Sequence, residues 1–148
     1  MKLPLPALLL LAACSPGQRP VVKVPVYFSA QVPEGASGTA TFHLYNPTRD
    51  TVYFVSGSCN GPASFLESDT MAARIRLLAC GGDGPQRAAI APRDTLSFTA
   101  AVERRRPGPL LIIFRYHPLA AGALPARFPR PGPGDALLST VAGGGERR

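Results

Sequence analysis

The sequence predicts an all-β protein: an antiparallel immunoglobulin-like β-sandwich of about seven to eight strands, preceded by a signal peptide. Three observations lead there. Short runs of alternating apolar and polar residues recur at fairly even spacing, Pro- and Gly-rich turns separate them, and two cysteines fall in different segments. A chain of 148 residues has room for one hydrophobic core, and 17 prolines with 15 glycines favour many turns over long helices.

The first element is "MKLPLPALLLLAAC". Lys2 gives a positive start and Leu3 to Leu11 a short apolar run, the layout of a secretory signal and about half of what a bilayer-spanning helix needs. Leu11, Ala12, Ala13 and Cys14 resemble the lipobox of bacterial lipoproteins. That resemblance implies that the Cys14 thiol first receives diacylglycerol, residues 1–13 are then removed, and the new amino group takes a further fatty acyl chain of the palmitate kind. Because one acyl chain binds a bilayer only marginally, two or three make the anchor effectively permanent. Ser15 in place of Asp after the cysteine implies an outer-membrane lipoprotein facing the periplasm, where the host has two membranes. Residues 14–20 then form a lipidated tether, 21–142 the sandwich and 143–148 a flexible tail.

Lipidation of Cys14 accounts for the odd cysteine, leaving Cys59 and Cys80 to form a disulfide in an oxidising compartment. The loop it closes, about 20 residues, is worth roughly 3 kcal/mol by chain entropy. Neither cysteine has the second pair or the histidines of a zinc site, so no metal and no cofactor is expected.

In "VVKVPVYFSAQV", Val22, Val24, Val26, Phe28 and Ala30 share one face, and Pro25 places this strand at a sheet edge. "GTATFHLYN" turns Ala40, Phe42 and Leu44 inward and Thr39, Thr41, His43 and Tyr45 outward. After the "NPTRD" turn, "TVYFVSG" is the third strand. Residues 69–79 carry both a helical and a strand pattern; the alternation of Ile75 and Leu77 with Arg74 and Arg76 favours a strand. "IAPRDTLSFTAAV" supplies a turn and a strand burying Leu96, Phe98, Ala100 and Val102. "LLIIFRYHP", the most apolar run, is expected to be a central strand covered on both faces, with His117 a strand-end residue. From His117 to Gly134 five prolines predict a long loop, and "DALLSTVA" a last strand.

The runs "FHLYNPTRDTVYF", "IAPRDTLSF" and "PGPLLIIFRY" resemble envelope lipoprotein domains of uncharacterised role and, more loosely, the intracellular proteinase inhibitor family. A Pro-Arg-Asp turn stands where those families commonly have Pro-Gly-Glu. The resemblance implies a fold more than an activity.

Catalysis requires convergent groups, and the sequence offers two histidines, nine acids and none of the familiar nucleophile, metal or phosphate-loop motifs. The chain is therefore read as a non-enzyme; a triad of His43, Asp50 and Ser56 would need solvent-facing or turn positions. A net charge of +7 favours anionic surfaces. Arg104, Arg105 and Arg106 are either a solvated hairpin tip or a contact for lipid phosphates or another anionic envelope polymer. No aromatic platform accompanies them, so nucleic acid is excluded as a partner. The expected protein is a monomer anchored to the membrane by its N-terminal lipid. It binds or scaffolds an unknown envelope protein or polymer, with the loop Pro118–Pro133 the candidate recognition surface. The alternative is a proteinase-inhibitor-like domain acting through an exposed loop.

Overall fold

Alternation along the chain is converted into two packed layers. The computed structural model describes residues 26–132 and 135–142. One layer holds β1 (Tyr27–Gln31), β2 (Ser37–Tyr45), β7 (Thr95–Arg104) and β5 (Ala73–Arg76), ordered β1-β2-β7-β5. The facing layer contains β10 (Ala136–Ala142), β8 (Leu110–Tyr116) and β4 (Leu66–Ser68), ordered β10-β8-β4, and continues as β6 (Pro85–Ile90), β3 (Val52–Gly57) and β9 (Pro118–Leu119), ordered β6-β3-β9.

Ten segments make eight strand paths. Only His117 separates β8 from β9, and Val55 N–H donates to the His117 carbonyl at 3.0 Å. β3 and β4 both run antiparallel along this one line, interrupted by a 3-10 turn, η1 (Gly61–Phe65). The first, second, seventh and fifth strands share one layer while the last packs on β8, which is the strand arrangement of an immunoglobulin-like sandwich.

The layers meet through aromatic rings rather than a tryptophan. Phe114 on β8 touches Phe28 (centroids 5.7 Å apart), Phe98 (6.1 Å) and Phe54 (6.1 Å), so one ring joins β1, β7 and β3. Phe42 continues the column, 6.1 Å from Phe28 and 5.4 Å from Phe98. The β2 expectation holds: Ala40, Phe42 and Leu44 are fully buried. β1 lies at a sheet edge as expected, although Val22, Val24 and Pro25 fall outside the described residues.

Some expectations are corrected. Residues 69–79 contain the strand Ala73–Arg76, but Leu77 and Leu78 have left it and are exposed. β8 is central yet not covered on both faces: Leu110, Ile112, Phe114 and Tyr116 are buried while Leu111 is 47% exposed, because only one layer packs against it. β6 was not anticipated, since Gln86, Arg87 and Ala89 face solvent and leave no apolar alternation to read. The loop after His117 begins with the two-residue strand Pro118–Leu119.

Asn46 ends β2 and is fully buried. Its Nδ2 donates to the carbonyls of Asp50 (2.8 Å), Ile90 (3.1 Å) and Ala91 (3.1 Å), and its Oδ1 accepts Thr48 N–H (3.0 Å) and Oγ–H (2.7 Å). One amide thereby satisfies the backbone where the β2–β3 turn meets the end of β6. Replacement by Ala leaves buried carbonyls unpaired, so Asn46→Ala is expected to cost about 3 kcal/mol in denaturant unfolding, against about 1 kcal/mol for Thr48→Val.

Candidate functional site

The best-defined surface feature is the proline-rich loop between β9 and β10, because its base is locked. Pro118, Pro125, Pro129 and Pro131 cannot donate to a ladder, so this segment cannot extend β9 as a strand. His117 stands at its start and Asp135 at its return, with His117 Nδ1 and Asp135 Oδ1 2.6 Å apart. The other Asp135 oxygen accepts the Gly132 N–H at 2.7 Å and lies 4.0 Å from Arg115 Nη1. Arg115 in turn forms a two-contact pair with Glu67, Nη2 and Nε lying 2.7 and 2.8 Å from Oε1. Glu67, Arg115, Asp135 and His117 thus form one polar line from β4 across β8 to the loop base.

Aromatic packing closes the loop from above. His117 is 4% exposed and meets the edge of Phe65 at 5.1 Å, and Phe65 meets Phe128 of the loop at 5.9 Å. Between loop and sheet lies a groove of about 500 Å³ lined by Val55, Leu119, Pro125, Arg127, Phe128 and Arg130. Its walls are apolar and its rim cationic. Beyond the loop base, the outer face of β8 and β10 carries Leu111, Leu137 and Val141, all exposed, with Val141 opposite Leu111 and Leu137 opposite Arg115. Exposed large apolar side chains set side by side on a sheet are the kind of surface that partners cover.

His117 was expected to be a plain strand-end residue; the structure makes it the buried half of a clamp. Asp135, Glu67, Phe65 and Phe128 carry no sequence signal for these contacts, because His117 lies 18 residues from Asp135 and the partners of the others lie farther still. Pro133 and Gly134 of the predicted loop lie outside the described residues.

Cys59 and Cys80 form the expected disulfide, their Cα atoms 6.4 Å apart. It ties the segment before η1 to the one after β5. Asn60 reinforces the tie, accepting Leu78 N–H at 2.7 Å and donating to the Leu78 carbonyl at 3.2 Å. Asp83 organises the other side: its carboxylate accepts Cys59 N–H (2.9 Å) and the Ser64 hydroxyl (3.2 Å). The Cys59 N–H is the main reason its carboxyl titrates below the ordinary value, helped by the hydroxyls of Ser64 and Ser58. Gly57 is needed here, since a Cβ would run into Ser64 Oγ and the Asp83 carboxylate.

The three arginines are not equivalent. Arg104 Nη1 donates to the Gly108 carbonyl (2.8 Å) and Arg105 Nη1 to the Thr70 carbonyl (2.9 Å), while Arg106 is exposed. The sketched triad is not assembled: His43 Nδ1 sits 2.8 Å from Ser97 Oγ, and Ser56, buried on the other layer, bonds the Gly57 carbonyl. Cys14 lies outside the described residues, as do the signal peptide, the tether and the tail. Among the described residues no helix is long and apolar enough to cross a membrane, and no group of three His, Cys, Asp or Glu could hold a metal ion.

Among solved structures, the chain is similar to the ASH / PapD-like domain of human CEP192 (PapD-like domain 7). They share 12% identity and a TM-score of 0.36, over 88% of this chain and 92% of that one. No family model matches the chain, and no curated protein matches it.

The clamp has a direct readout. Asp135→Ala removes the partner of His117 and of Gly132 N–H, and losing about 1.5 kcal/mol of closure speeds local opening about tenfold. Limited trypsin digestion is therefore expected to cut Arg127–Phe128 about ten times faster than in the parent, with cleavage elsewhere unchanged.

Proposed function

We propose that this chain is a lipid-anchored envelope protein whose non-catalytic immunoglobulin-like sandwich binds or scaffolds a partner through the proline-rich loop. The observation that carries the reading is the closed base of that loop. A surface segment without secondary structure loses much of its binding energy to ordering, and fixing its ends in advance reduces that loss. His117 and Asp135 fix both ends, and Phe128 on Phe65 fixes the middle. The apolar stripe of Leu111, Leu137 and Val141 extends the same surface along the sheet.

The anchor rests on the lipobox of Leu11 to Cys14. Polarity along the sandwich supports a division of labour. Val26, where the described chain begins, packs in the core with Tyr116, next to His117 and the loop. The other half of the core holds Leu110 and Val102, beside Arg104–Arg106. The chain thus enters β1 at the loop pole, with the arginine tip at the far one. This favours an anionic envelope polymer over the anchoring bilayer as the contact of those arginines. The tether 14–20 together with residues 21–25 spans at most about 40 Å when fully extended.

Mass spectrometry of the full chain from the membrane fraction tests the anchor. The expected product begins at Cys14, carries diacylglycerol and amide-linked acyl mass, and loses two hydrogens' mass to the Cys59–Cys80 bond. Cys14→Ala is expected to stay unprocessed and unacylated. A Cys14→Ala chain still cut at the same bond and retained on membranes through a high-salt wash overturns the reading.

A further inference from the structure

We infer that the open edge of β7, residues Thr95 to Thr99, joins two copies of this chain by strand pairing. On one side β7 pairs with β2 over its length, from Ser37↔Glu103 to Tyr45↔Thr95. On the other, its ladder with β5 stops at Arg76↔Ala101, where the chain leaves the sheet as Leu77 and Leu78. The stretch "TLSFT" therefore has a strand neighbour on one side only, among the described residues.

The direction of its backbone groups follows from two bonds. Arg104 N–H reaches the carbonyl of Ala36, just before β2, whereas Arg105 N–H reaches Ala72, just before β5. Alternate residues of a strand point opposite ways. Thr95, Ser97 and Thr99 accordingly aim their N–H and C=O groups at the missing neighbour, while Leu96 and Phe98 aim theirs at β2.

The other sheet margins carry charges, proline or a packed strand that discourage pairing, whereas this one is flanked only at its Thr99 end, by Cys59, Asn60, Leu77 and Leu78. β5 ends in Arg74 and Arg76, β6 carries Pro85 and Arg87, and β10 packs against β1. "TLSFT" has no charge, no proline and no bulge. Its core-facing Leu96 and Phe98 are only partly buried, so the core is left incomplete along this margin.

A second copy fits the stretch at both ends. β7 begins at Thr95, after the turn at Arg93 (φ 58°), and its pairing with β5 begins at Ala101, so the open length is bounded and its centre is Ser97. Two copies related by a two-fold axis at Ser97 place Thr95 opposite Thr99, Ser97 opposite Ser97, and Leu96 opposite Phe98. Every residue with outward backbone groups then meets another of the same kind, in hydrogen-bonded pairs. The inner face gains aliphatic–aromatic pairs and the outer face hydroxyl pairs, both favourable across strands, with no like charges opposed. An isologous contact of this kind closes after two copies and does not propagate.

The test uses the full chain in its own membrane, with Ser97→Cys and mild oxidation, read by non-reducing gel and intact mass. The expected product has twice the chain mass, reverts with reductant, and forms at least about ten times more than from Thr41→Cys, which sits on the same sheet face but on the inner strand β2. Co-expressed Thr95→Cys and Thr99→Cys chains are expected to link to each other, which fixes the register. An intact Cys59–Cys80 bond in the same spectra shows that the variants fold. Absence of the double-mass species, equal yield from Thr41→Cys, or an adduct of Ser97→Cys with a different protein each overturns the inference.

Discussion

The ring of Phe114 is where the two layers meet, and most of the molecule is arranged around keeping it covered. It lies on the central strand of one layer and touches rings from β1, β7 and β3. A fully buried Phe with three aromatic neighbours removes well over 100 Å² of apolar surface from water and fixes ring geometry as well as area. Its position also sets the parity of β8. With Leu110, Ile112, Phe114 and Tyr116 inward, Leu111 and Arg115 must face out. The exposed stripe and the Glu67–Arg115 pair are therefore consequences of where the core residue sits.

The same strand line runs on to the loop. After Tyr116 comes His117, whose carbonyl accepts a bond from Val55 and whose ring stands between Phe65 and Asp135. A chain that entered the proline segment directly from a sheet edge would have nothing to hold it. Here it leaves from the central strand, whose inward residues Leu110, Ile112, Phe114 and Tyr116 are all buried, and the loop inherits that rigidity. The acidic line from Glu67 to Asp135 brackets Arg115, so the cationic side chain is neutralised where β8, β4 and the loop base converge.

Local pattern made much of the sandwich legible. Ala40, Phe42 and Leu44 on β2 and Leu96 and Phe98 on β7 alternate with Thr, Ser, His and Tyr so regularly that strand and face could be read together. Cysteine parity gave the Cys59–Cys80 pair. Where burial depended on distant partners, the reading failed. β6 is a strand because β3 and its turn accept it, although Gln86 and Arg87 say nothing of the kind. β8 looked buried on both faces because Leu111 and Ile113 are apolar, yet no second layer covers them. The clamp was invisible for a simpler reason: His117 and Asp135 are joined by topology, across a loop whose composition suggested no closure. Asn46 is the turn residue its sequence suggests, but two of its three carbonyl partners, Ile90 and Ala91, lie more than forty residues away.

On the proposed reading, the rigid sandwich presents a pre-closed, groove-bearing loop that recognises its partner only while its base is locked. Photo-crosslinking in living cells from Leu124, 78% exposed on the loop, measures this most directly. The account predicts one discrete adduct from Leu124, none from Glu34 on the exposed β1–β2 turn at the far pole, and loss of the Leu124 adduct when Asp135→Ala opens the base. An adduct that survives Asp135→Ala unchanged, or the same adduct from Glu34, contradicts it.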